Sequence, residues 1–175
     1  KGVLAGGLGK LTWGSGPMVE DGVLYFIDNQ GGESVSRAWR LPATADAPFE
    51  PELIWQIEPT KDRYYASPII HDGLIYAVTQ AGILTCIDAA TGEIVYTQDL
   101  QFGKIAIFAS IVLAGDVLMV THENGTTVVF QPGREYVEVA RNLLGDMIRS
   151  TPVFDGDAMY IRGYENLYCI AAAAG

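Results

Sequence analysis

The stretch ASPIIHDGLIYAVTQAGILTCIDAATGEIVY, residues 66–96, decides the fold. It holds three turn signals, Asp72-Gly73, Gln80-Ala81-Gly82 and Ala89 to Gly92, separated by short apolar runs that carry little charge. Asp-Gly between apolar runs marks a two-residue hairpin turn, because both central residues of such a turn take positive φ. The intervening runs predict four strands, at about 67–71, 74–79, 83–87 and 93–100. The run Leu74 to Val78 is apolar at every position, which predicts a strand covered on both faces.

The pattern recurs. GPMVEDGVLYFI (16–27), SPIIHDGLIYAV (67–78), SIVLAGDVLMVT (110–121) and TPVFDGDAMYIR (151–162) each open on a small residue followed by Pro17, Pro68, Ile111 or Pro152. Eight positions after these stand Tyr25, Tyr76, Met119 and Tyr160, with a Gly/Asp turn pair between. The units start 51, 43 and 41 residues apart. A period of roughly 40–50 residues built from short strands is that of propeller blades. The first interval is longer because a Pro-rich loop, LPATADAPFEPE, stands where the second unit has DAATG. The chain is therefore read as all-β, a β-propeller of four-stranded antiparallel blades at about 14–59, 60–103, 104–145 and 146–175. A two-layer β-sandwich gives no reason for the Pro-to-Tyr spacing to recur. Stacked blades explain why the inner strands are apolar front and back.

Composition narrows the function classes. Apolar residues make up 49% and charged residues 18% of 175, enough for a full hydrophobic core. The net charge of -10 opposes nucleic acid and anionic membrane as partners. The longest apolar run, Ile105 to Gly115, is too short to span a bilayer. No charged-then-apolar leader opens the sequence at Lys1, so an export signal is expected to have been removed or to lie outside this sequence.

CIDAATGEIVY resembles the repeat signature of the pyrroloquinoline-quinone-type β-propellers, an Ala-x-Asp-x-x-Thr-Gly-x-x-x-Trp stretch closing each blade. Asp88, Thr91 and Gly92 match, Cys86 stands for the Ala and Tyr96 for the Trp, and Trp55 holds the aromatic position in the first unit. The resemblance implies that the aromatic docks between blades and that the Thr-Gly turn holds the strand pair. The family includes quinoprotein dehydrogenases and the propeller lipoprotein of the outer-membrane β-barrel assembly machine, with rings of seven or eight blades. Four units are then half a ring, with the remaining blades or a second copy covering its ends, and the half alone is expected to dimerise or aggregate. A closed four-bladed ring would need 1–13 to supply a strand for the last unit, and the glycines there oppose it. By resemblance the protein is exported, to the periplasm of a Gram-negative-type bacterium.

Residues that would carry catalysis are missing from the sequence. The dehydrogenases of the family use an adjacent Cys-Cys disulfide, a Trp beneath the quinone and a calcium ion. Here Cys86 and Cys169 stand 83 residues apart, at one strand position in different units. His71 and His122 fall at opposite ends of their units, as solvated or loop histidines rather than a shared metal site. The acidic residues concentrate in turns, which turn chemistry explains. Asn124-Gly125-Thr126 fits a glycosylation acceptor and, equally, a hairpin turn. GGLGK (6–10) lacks the Ser or Thr of a phosphate loop. No cofactor is expected, except pyrroloquinoline quinone with calcium if the chain were the C-terminal half of a dehydrogenase. The lack of clustered carboxylates disfavours a sugar-active propeller. What remains is a surface: the loops entering each first strand place Arg63, Tyr64, Tyr65, Phe108 and Arg149 toward one mouth. Aromatics with arginine suit a contact surface. The expected function is a non-catalytic scaffold that binds a protein partner or small ligand there.

Overall fold

The computed structural model describes residues 15–28, 35–44, 48, 50–103 and 106–171, and the closing strand considered for 1–13 lies outside them. Fifteen strands among these residues form four antiparallel sheets, each a simple meander. The first contains β1 (Met18–Glu20), β2 (Val23–Phe26), β3 (Ser36–Arg40) and β4 (Glu52–Ile57). The second contains β5 (Ile69–His71), β6 (Leu74–Val78), β7 (Ile83–Asp88) and β8 (Ile94–Asp99). The third contains β9 (Val112–Ala114), β10 (Val117–Thr121), β11 (Thr126–Gln131) and β12 (Val137–Leu143). The fourth has three strands, β13 (Val153–Asp155), β14 (Ala158–Arg162) and β15 (Leu167–Ala171). They are four blades of a β-propeller.

The first hairpins follow their turn chemistry. Asp72 and Gly73 have φ of 49° and 71°, and Asp21-Gly22 repeats this with 48° and 74°. Positive φ at both central positions matches the right-handed twist of the flanking strands.

Blades stack face to face. Ile75, Ala77, Ile87 and Ala89 of the second blade share a core with Val23, Tyr25, Ile27, Ala38 and Trp55 of the first. Leu74, Tyr76, Val78, Leu84 and Cys86, on its other face, share a core with Leu118, Val120, Val128 and Phe130 of the third. Every residue of β6 is consequently buried. By contrast β14 is mostly half-buried, because among the described residues only one face of the fourth blade meets a neighbouring blade.

A hydroxyl ladder joins the blade starts. The N–H of Gly16 donates to Ser67 Oγ at 3.0 Å, that of Ser67 to Ser110 Oγ at 3.3 Å, and that of Ser110 to Thr151 Oγ1 at 3.0 Å. Each bond runs from one blade to the next. The small residue opening each repeat is thus a hydrogen-bonding position that also lets the first strands approach closely.

A second recurrent device lies at the outer strands. The pairing register shifts between Ala38 and Trp39, between Cys86 and Ile87, and between Val129 and Phe130, the same place in three blades. The strand opposite therefore carries one unpaired residue, a bulge that bends it and re-aims the next side chain. The residue after the bulge is Trp55 in the first blade, Tyr96 in the second and Ala140 in the third.

Trp55 docks on the second blade. Its Nε1 donates to Ala89 O at 2.8 Å, and its ring covers Gly92, where an added Cβ would lie 2.8 Å from Trp55 Cδ2. Asp88 builds the turn beneath: Oδ1 accepts from the N–H groups of Ala90 and Thr91 and from the Thr91 hydroxyl. Arg134 of the third blade donates to Asp88 Oδ2 at 2.9 Å. Led by that guanidinium, these donors hold the Asp88 carboxyl below its ordinary value. Tyr96 meets Tyr136 edge-on at 6.3 Å, the corresponding contact between the second and third blades. Nearby, Tyr76 accepts from the Gly133 N–H at 2.8 Å.

Candidate functional site

The entering loops lie at the end opposite the Asp-Gly turns, and their backbone bonds reach their own blade, the preceding blade or, in the loop entering the fourth, both. Four residues before the hub hydroxyl, a carbonyl accepts from the blade's own second turn: Gln80 N donates to Arg63 O at 2.7 Å, and Tyr164 N to Met147 O at 2.9 Å. Three residues before it, an N–H reaches the preceding blade: Ile107 to Gln80 O at 3.2 Å, and Ile148 to Glu123 O at 2.9 Å. That position points inward. Tyr64, Ile107 and Ile148 occupy it and are 1%, 0% and 1% exposed. Tyr64 was expected at the mouth; the structure instead buries it between the first two blades, because the preceding residue's turn contact rotates it away from solvent.

The position two before the hydroxyl forms the mouth. It is held by Tyr65, Phe108 and Arg149 in three successive loops. Tyr65 and Phe108 stack with centroids 5.4 Å apart and planes 6° from parallel. The Arg149 guanidinium continues the pile, its Cζ 5.1 Å from the Phe108 centroid, while its Nε donates to Glu123 Oε1. Glu123 is buried and Arg149 is mostly exposed. One ion pair therefore anchors a side chain that is otherwise mostly exposed. Arg63 stands exposed at the edge of the second loop.

Two acids that the motif reading passed over hold these loops. Asp62, five residues before Ser67, accepts from Gln80 Nε2 at 2.9 Å and from Ala81 N at 3.1 Å. Asp146, five before Thr151, accepts from Met147 N, Glu165 N, Asn166 N and the Tyr168 hydroxyl. Burial alone would push both carboxyls up, yet the converging donors outweigh it and hold both below the ordinary range. The recurrence of Asp, four residues, then Ser-Pro or Thr-Pro was the available signal. Asp146 also fills the space beside Gly163, where a Cβ would collide with its carboxylate.

Other candidates fall elsewhere. His122, expected as a solvated or loop histidine, does lie in the turn after β10 but is fully buried there, stacked at 4.8 Å on Phe102 of the connection that follows β8. His71 lies at the far end of its blade beside Asp72. Cys86 is a buried free thiol whose pKa burial pushes up to about 11, and Cys169 is a free thiol in an exposed position. Among the described residues no three His, Cys, Asp or Glu side chains gather as a metal site would require. Among them, too, no helix is long and apolar enough to cross a membrane.

Two depressions open beside the mouth between the third and fourth blades. One, of about 250 Å³, is lined by Met147, Arg149, Ser150, Arg162, Gly163 and Tyr164. The other, of about 630 Å³, shares Met147 and Tyr164 and adds Leu143, Glu123 and Glu165.

A family model described as outer membrane protein assembly factor BamB matches residues 20–134 and 52–175. Among solved structures, BamB from Moraxella catarrhalis superposes with a TM-score of 0.67 at 17% identity, over 90% of this chain and 46% of that one. A quinohemoprotein alcohol dehydrogenase from Pseudomonas putida HK5 gives 0.60 at 16% identity, over 85% and 28%. The computationally designed Ika4 protein gives 0.63 at 9% identity, over 90% and 91%. The chain thus spans less than half the length of either natural protein. No curated protein sequence matches it.

Proposed function

Because the chain belongs to the family described as outer membrane protein assembly factor BamB, we propose that it is a non-catalytic binding propeller of the bacterial envelope, with the loop mouth as its contact surface. The observation that carries this reading is the Tyr65–Phe108–Arg149 pile, one residue from the same position of three successive loops. A repeat scaffold needs no aromatic there to fold, since the inward position beside it already supplies buried side chains. Stacked rings ending in an anchored guanidinium offer a pre-organised surface of the composition that dominates protein contacts.

The test is site-specific photocrosslinking of the protein in its native bacterium. A photoreactive phenylalanine at Tyr65 or Phe108 is expected to capture an envelope protein, whereas the same group at Asp116, in a turn at the other end of the blades, is not. Equal capture from both ends, or none from the mouth, removes the reading. The reading also requires no prosthetic group. Titration with pyrroloquinoline quinone and calcium should leave the quinone absorbance unchanged; a saturable shift would favour a quinone-dependent dehydrogenase instead.

A further inference from the structure

The smaller depression is lined by two arginines, and among the described residues only one of them has an acidic partner. Among the described residues, Arg134, Arg141 and Arg149 each pair with a carboxylate, while Arg162 has none. Arg149 spends its Nε on Glu123, and its two Nη groups make no hydrogen bond among the described residues. Both guanidinia line the same depression, beside Tyr164 at 75% exposure. In a chain with 21 acidic and 11 basic side chains, an Arg162 without a carboxylate partner, sharing a depression with Arg149, is a locally positive feature.

We propose that this depression receives an aspartate or glutamate side chain of an extended peptide segment from the partner protein, with a neighbouring aliphatic residue resting on Met147 and Leu143. The size fits a side chain: about 250 Å³ falls below the roughly 300–1,000 Å³ of small-molecule sites. The chemistry fits a carboxylate, which planar guanidinium forks bind through paired N–H donors. Across the Met147–Tyr164 ridge the wider depression exposes Leu143 at 71% and Met147 at 38%, apolar area that a carboxylate alone would not use. Glu165 on that side disfavours a second acid there and sets the order of acidic and aliphatic residues. The rigidity comes from Asp146, which ties the Met147 loop to the Glu165 turn and so fixes both walls.

This inference deepens the binding reading above and rests on it. Its test uses the protein with fluorescein-labelled heptapeptides, acetyl-Gly-Leu-Asp-Leu-Asp-Leu-Gly and its Asn and Lys counterparts, followed by fluorescence anisotropy. The Asp peptide is expected to bind about tenfold more tightly than the Asn peptide and to weaken with added salt. Arg162→Gln should remove that preference, Arg162→Lys should retain part of it, and Arg40→Gln, an exposed arginine on β3, should leave it intact. Equal binding of the Asp and Asn peptides, no binding of the Asp peptide, or an Arg162→Gln protein indistinguishable from the parent each overturns the inference. Photocrosslinking at Tyr65 that still succeeds would then preserve the broader reading while retiring this one.

Discussion

At the residue scale, Gly92 and Trp55 constrain one another across two blades. Gly92 needs φ of 76° and lies under the Trp55 ring with no room for a methyl group. Gly92→Ala is therefore strained in backbone and in space, and should destabilise the protein by roughly 2–4 kcal/mol in urea unfolding. Trp55→Phe keeps most of the apolar contact but strands the Ala89 carbonyl, which predicts a smaller loss of about 1–2 kcal/mol. A Gly92→Ala protein as stable as the parent would mean that the ring does not rest on this turn. Both positions were legible in the sequence, since the Asp-x-x-Thr-Gly spacing and its paired aromatic mark them. Tyr64 was not, because nothing local distinguishes it from Tyr65; it turns inward only once the loop is bonded to its own blade at Arg63 and packed in the core shared with the first blade.

At the element scale, the entering loops are held by carboxylates rather than by apolar packing alone. Asp62 and Asp146 each gather main-chain and side-chain donors of their blade's second turn, and Asp88 organises the third turn at the opposite end. All three carboxyls lie below their ordinary range in the folded protein. A depressed folded pKa contributes stability that is present above the unfolded value, near 3.9, and is lost as pH falls through the folded value. Thermal stability should accordingly be flat near neutrality and fall below about pH 4. Asp146→Asn, which keeps the shape but loses the charge, should lower the neutral plateau and flatten the acid limb. An acid limb identical to the parent's would show that Asp146 does not contribute through its charge. These clamps escaped the motif reading because acids near turns are commonplace; only the repeat of the same offset before Ser-Pro and Thr-Pro separates them from ordinary turn residues.

For the whole molecule, the repeat spacing revealed the blades, and the structure adds how they are chained. The sequence marks the blade starts only as small residues, whereas the structure shows Ser67, Ser110 and Thr151 as acceptors in a ladder passing from blade to blade. The mouth follows from the same geometry: loops that end at equivalent hub positions bring Tyr65, Phe108 and Arg149 into one pile although they are far apart in sequence. The chain is acidic overall, and the arginines on that rim stand out against that field.

Amide hydrogen exchange on a Thr151→Val protein tests this arrangement most directly. Removing one γ-hydroxyl should release the Ser110 amide, 41 residues earlier and in the preceding blade, while the Gly16 and Ser67 amides keep their protection. If Ser110 protection is unchanged and only the immediate neighbours of residue 151 respond, the blade starts do not meet at a common hub, and the mouth built on that hub goes with them.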